Sequence, residues 1–306
     1  MNFKILVDAS YLDIFPNTTL TPVDKKSVLS LVNDFEDGRW RYRNFEDFIW
    51  DNIIQTALSA QLRAKMIDQD SSKLRAAAKN LRLAVMDGDK GKGGELAEVV
   101  LYGIMHHHYK ALPVVPKIFY KQNVKDYAKG ADSVHIVLEG DNDFSLWFGE
   151  AKFFDSIENV RLSSVVESVG KALDTEKLKK ENSIITSLLD IDLLVANQEL
   201  ATKIKDALSA KRSIDQIKPK INVPILLLHQ CSITASAQKM NDAYIEDVKQ
   251  YHLGRASAYF EKQISALSGK VTDYDEIKFH IILFPAPDKE ELITRFSRAL
   301  NFYTEA

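Results

Sequence analysis

The chain has 306 residues, 45% hydrophobic and 27% charged, with a formal net charge of −3. That is the composition of a folded globular protein, long enough for one large domain or two small ones. Near-neutral charge excludes a global attraction to nucleic acid, so any such contact must come from local basic patches or from a partner.

No run approaches the roughly 18 apolar residues of a membrane span. The N-terminus, MNFKILVDAS, lacks the pattern of a signal peptide. The only cysteine, Cys231, has no internal partner for a disulfide, which predicts a reducing, cytoplasmic setting. No fixed-period repeat or low-complexity tract is present.

In chain order, Lys4–Val7 predicts a short strand, and a turn-rich stretch then runs to Pro22. Residues 22 to about 86 read mainly as helices, with Phe45, Phe48, Ile49, Asn52 and Ile53 recurring at helical spacing and Trp40 and Trp50 as packing anchors. Residues 71–86 predict a helix carrying Lys73, Arg75, Lys79 and Arg82 on its exposed side. Such a basic face is either simply solvated or a surface for nucleic-acid backbone.

A Gly/Lys-rich loop follows, containing Lys90 and Lys92. It matches neither GxxxxGK[ST] nor GxGxxG after a strand, so it is not a nucleotide-binding loop. It leads into a helix bearing Glu95 and Glu98, closed by His106-His107-His108. Consecutive helical residues diverge by about 100°, so the three histidines cannot share one metal and read as a C-terminal cap.

Residues 116–122 predict a strand, and Lys117, Lys121, Lys125 and Lys129 place four lysines before Asp132. Residues 130–153, GADSVHIVLEGDNDFSLWFGEAKF, read as two strands joined by a turn at 140–143. Side chains alternate along a strand, so Glu150 and Lys152 share a face while Ala151 and Phe153 take the other. Two acids and a lysine thus meet at one end of an apolar hairpin, an arrangement suited to a divalent metal beside a phosphate. On the same alternation His135 points away from Asp132.

Beyond it, residues 155–173 predict a helix with Ile157, Val160, Val165, Val169 and Leu173 inward, and 183–208 another helical stretch. Residues 224–229 and 279–284 are short continuous apolar runs, as expected of central strands buried on both faces. Residues 235–267 read as mostly helix, and Asp288 with Glu291 begins a last one. The order predicts an α/β, three-layer fold with a mixed central β-sheet flanked by helices and a helical N-terminal part. A soft boundary near residue 86 divides a mainly helical region, 1–86, from a core, 87–306, with C-terminal helical additions.

A helix glutamate, Asp132 on one strand and Glu150-Ala151-Lys152 on the next form the pattern of the PD-(D/E)xK nuclease superfamily, with Ala131-Asp132 in place of Pro-Asp. Within it the chain resembles the nuclease subunits of helicase-partnered antiphage systems, the HamA and AbpA type. The resemblance rests on Gly94-Glu95 through Tyr102, on residues 130–135 and on residues 146–153. It implies a restriction-endonuclease-like core, Mg²⁺ (or Mn²⁺) as cofactor, DNA as substrate and a superfamily 2 helicase as partner.

On this reading Asp132 and Glu150 hold the metal, with the Ala151 carbonyl as a third ligand. Lys152 orients the nucleophile and stabilises charge on the phosphorane oxygens. Glu95 or Glu98 completes the site; spacing does not choose, and the Gly-Glu context leans towards Glu95. Two other functions compete with a helicase-partnered nuclease: a non-catalytic adaptor that binds a helicase or DNA ends, and a standalone restriction-type endonuclease.

Overall fold

A computed structural model describes residues 1–81, 92–120, 131–187, 190–209 and 211–305. The strands are β1 (Lys4–Ser10), β2 (Lys26–Val32), β3 (Phe35–Glu36), β4 (Arg39–Trp40), β5 (Leu112–Val115), β6 (Ser133–Leu138), β7 (Phe144–Phe154), β8 (Ile221–Gln230) and β9 (Lys278–Ala286). The first helices are α1 (Tyr11–Ile14), α2 (Tyr42–Ala57), α3 (Ala60–Lys65), α4 (Asp70–Lys79), α5 (Lys92–His107) and α6 (Lys117–Tyr120). After the hairpin come α7 (Asn159–Ala172), α8 (Thr175–Ser187), α9 (Asp190–Leu194), α10 (Gln198–Ala207), α11 (Ser232–Ser236), α12 (Asp242–Leu267) and α13 (Lys289–Glu305).

Seven strands form one mixed sheet in the order β1-β2-β9-β8-β7-β6-β5. Strands β2, β9, β8 and β7 run parallel to one another, while β1, β6 and β5 pair antiparallel. In β8 every residue but the last is buried, as a parallel strand covered on both faces requires. Its alternate residues enter two cores: Ile225 and Leu227 meet α7 and α12, while Leu226 and Leu228 meet α2, α5 and α13. This is the three-layer architecture expected.

The run 22–86 holds more than helices. Strand β2, KSVLSLV, lies inside the sheet between β1 and β9, its apolar pattern interrupted by Ser27 and Ser30. Both serines find partners distant in sequence: Ser30 Oγ is 2.7 Å from His252 Nδ1, and Ser27 Oγ is 2.7 Å from His280 Nδ1. A buried hydroxyl so satisfied costs little, and that compensation is invisible locally.

The strand expected at 116–122 lies earlier, at Leu112–Val115, and the chain turns into α6 after Pro116. Lys117 does not face solvent there: its ammonium is buried 2.6 Å from both carboxylate oxygens of Glu181. In α7 the inward stripe includes Leu162, Val165, Val166 and Val169, whereas Val160, expected inside, is 81% exposed. The helical stretch 183–208 is three helices, and Asp288 caps α13 by accepting the Glu291 N–H at 3.0 Å.

Burial holds four histidines neutral, and His252 lies well below its ordinary value. Desolvation pushes His135 and His280 down to about 3 and His229 to about 4. Unfolded, each regains a value near 6.5, so below that pH the unfolded chain binds protons the fold refuses. Stability is therefore full above about pH 6.5 and falls as pH drops towards the folded values. Near pH 5, His135, His229 and His280 alone cost about 4 kcal/mol per pH unit. Urea midpoints should drop sharply from pH 7 to pH 5; equal midpoints would contradict the buried placement.

Candidate active site

The site is built by the β6–β7 hairpin. Their antiparallel register pairs Ser133 with Gly149, and the next step outward sets Asp132 against Glu150. The Asp132 N–H donates to the Gly149 carbonyl at 2.8 Å, which pins the start of β6 beside β7. Strand alternation turns Glu150 and Lys152 to the same face, as expected.

The three side chains meet. The Lys152 ammonium is 2.5 Å from Glu150 Oε1, 3.3 Å from Asp132 Oδ2 and 3.2 Å from the Ala151 carbonyl oxygen. Asp132 Oδ2 also accepts the Ala151 N–H at 3.1 Å. Glu150 is the deepest member, with its side chain 6% exposed against 33% for Lys152. Burial, then the neighbouring Asp132 charge, raise the Glu150 carboxyl above its ordinary value, while Lys152 and Ser168 pull it back. Burial lowers the Lys152 ammonium, but Asp132 and Glu150 outweigh it and hold the group above its usual value.

Ser168, on α7, donates to Glu150 Oε1 at 2.5 Å and fixes the carboxylate from the opposite layer. A lone helix serine among many gave no sign of this. His135 takes a core place: it is fully buried with its ring 4.4 Å from that of Tyr102.

An open cleft of about 820 Å³ reaches this cluster. Its floor includes Asp132, Ala151, Lys152 and Phe153, and α5 adds Gly93, Gly94 and Glu98. The helix acid on the cleft wall is thus Glu98; Glu95, one turn earlier and also buried, is not on the lining. Glu150 lies behind Lys152 rather than on the cleft surface.

Of the expected basic contacts, the three described in full, Lys73, Arg75 and Lys79, do not line this cleft. Lys73 is tied to Asp70 at 3.2 Å, and Arg75 and Lys79 lie exposed on α4 away from the cleft. Arg82, Lys90, Lys125 and Lys129 lie outside the described residues, as does the side chain of Lys92. The opposite wall instead comes from the C-terminal helix, α13, through residues including Lys289, Thr294, Ser297, Arg298 and Asn301. Their helical spacing was legible, but a polar stripe on an amphipathic helix ordinarily faces water.

For a metal, the available donors are two carboxylates and a carbonyl converging on one cationic point now filled by the ammonium. That all-oxygen set fits a hard divalent ion such as Mg²⁺ or Mn²⁺. Among the described residues no group of three or more His, Cys, Asp or Glu side chains is placed to hold a metal ion.

Fold and site together define an α/β protein with an acid–acid–lysine cluster at the end of a central hairpin. The HamA family model matches residues 9–300, nearly the whole chain. The chain belongs to the HamA family of antiphage-defence proteins. A search of curated proteins found no match. Among the described residues no helix is long and apolar enough to cross a membrane.

Proposed function

We propose that this protein is a metal-dependent DNA nuclease that acts with a superfamily 2 helicase in antiphage defence. The convergence of Asp132, Glu150 and Lys152 beside an open cleft carries this reading. Membership in the HamA family supports the defence role.

A bound Mg²⁺ or Mn²⁺ supplies Lewis-acid polarisation of the phosphoryl oxygen and an acidified water. Asp132, Glu150 and the Ala151 carbonyl would hold such an ion, and Ser168 keeps Glu150 in one orientation. Lys152, released from the acids, directs its ammonium at the oxygens of the scissile phosphate, where negative charge builds in the transition state. Glu98 lines the same cleft and would orient a water there. The sequence carries no phosphate-binding loop of the Walker type, so ATP-driven handling of DNA falls to the partner.

The test is degradation of linear and circular DNA by the chain co-purified with its operon partner, with and without Mg²⁺ and ATP. Glu150→Ala should remove metal-dependent cleavage while leaving complex formation intact. Cleavage unchanged in that variant would reject the catalytic reading and leave an adaptor.

A further inference from the structure

We infer that the polar face of α13 grips the phosphate backbone of a nucleic-acid strand lying in the cleft, with Arg298 as its main cation. The identity of the ligand rests on the nuclease reading; the placement of the cation does not.

Two arginines on this helix make the contrast. Arg295 is consumed by the fold: it pairs with Glu291 at 2.6 Å and Glu46 at 3.5 Å, and lies 4.4 Å from the Tyr42 ring centre. Arg298 lines the cleft, is exposed, and among the described residues has no carboxylate within 4.0 Å. Arg298 therefore shares the cleft with Asp132 and Lys152 without an ion pair of its own among the described residues.

The rest of the wall suits the same ligand. Thr294, Ser297 and Asn301 line the cleft around Arg298 and offer hydroxyl and amide donors, the groups that contact phosphate oxygens without reading bases. Lys289 stands at the other end, nine residues or about 13 Å of helix away. It is held 3.1 Å from Asp155 and over the Phe153 ring, and Glu290 beside it repels an anion. The stronger grip therefore falls at Arg298. Cations on one wall and the acid–lysine cluster on the other place a scissile phosphate between them, so binding is sequence-independent and steeply salt-dependent.

Fluorescence anisotropy tests this on the full chain carrying Glu150→Gln, with labelled single-stranded and duplex DNA in Ca²⁺, from 25 to 200 mM KCl. Losing one phosphate contact lowers the salt slope by about 0.9, which weakens affinity about eightfold at 0.1 M salt. Arg298→Ala should show that loss with an unchanged melting temperature, and Arg298→Lys should recover most of it. Arg295→Ala should instead lower the melting temperature. The DNA form that shows the loss identifies the strand geometry. Equal affinity and slope in Arg298→Ala, or no binding of either DNA by the parent, overturns the proposal. Cleavage by the chain without Glu150→Gln is scored separately, so failure of the nuclease reading leaves this result interpretable.

Discussion

Lys152→Met should bind Mn²⁺ more tightly than the parent chain while losing DNA cleavage by about 10²–10³-fold, the usual cost of one transition-state donor. The same ammonium has two incompatible placements. At rest it bridges Glu150 and Asp132 and covers Glu150 from the cleft. A divalent ion taken up by those oxygens must displace it and then tolerates a positive charge close by. Methionine keeps the aliphatic stem and removes both penalties. Without metal, however, the variant leaves two neighbouring carboxylates uncompensated, one of them buried. Breaking a buried pair costs about 3–5 kcal/mol; with Lys152 a third exposed, about 2–3 kcal/mol is expected. Mn²⁺ should therefore raise the melting temperature of the variant more than that of the parent. Calorimetric titration reads the affinity and thermal melting reads the coupling. Equal or weaker Mn²⁺ affinity in Lys152→Met would reject the view that the lysine occupies the metal position.

How much of this was readable in the residues depends on the range of the forces involved. The hairpin was legible because alternation and turn chemistry are local, and the Asp132–Glu150 pairing follows from the turn between them. The buried strands β8 and β9 were legible because a parallel strand covered on both faces has to be apolar. Strand β2 escaped because its serines are satisfied by His252 and His280, more than two hundred residues away. Lys117 escaped for the same reason, since a lysine next to other lysines looks solvated until Glu181 is brought to it. The Gly-Glu context leans towards Glu95, whereas Glu98 is the one that lines the cleft, a matter of how α5 is rotated against the sheet. The α13 wall was missed because the cleft it lines forms only once the C-terminal helix meets α5 and the β6–β7 hairpin, more than a hundred residues earlier.

The contact between α5 and the sheet is close at one glycine, and Gly149→Ala should destabilise the protein by about 3 kcal/mol, lowering the melting temperature by roughly 5–10 °C. Gly149 lies in β7 on the face covered by α5, next to Glu150. A methyl group there would overlap Ser133 Oγ, come 2.8 Å from Leu101 Cδ2 on α5 and 3.3 Å from the Pro224 ring on β8. Alanine would ordinarily help by about 0.4–1 kcal/mol, because glycine loses more chain entropy on folding. Here the strand has neighbours on both sides and a helix above, so the overlap dominates. Ser133 offers a way to prove the cause. Its hydroxyl is fully buried and has no hydrogen-bond partner among the described residues. Ser133→Ala alone should therefore cost little. Combined with Gly149→Ala it removes the nearest obstructing atom, and the pair should be more stable than the sum of the two changes by about 1 kcal/mol or more. Simple additivity in denaturant melts would mean that the helix, not the strand pair, takes up the added methyl. Either way α5 carries Glu98, so cleavage should fall in Gly149→Ala beyond what the lost folded fraction explains, and the Ser133→Ala partner should restore it together with stability.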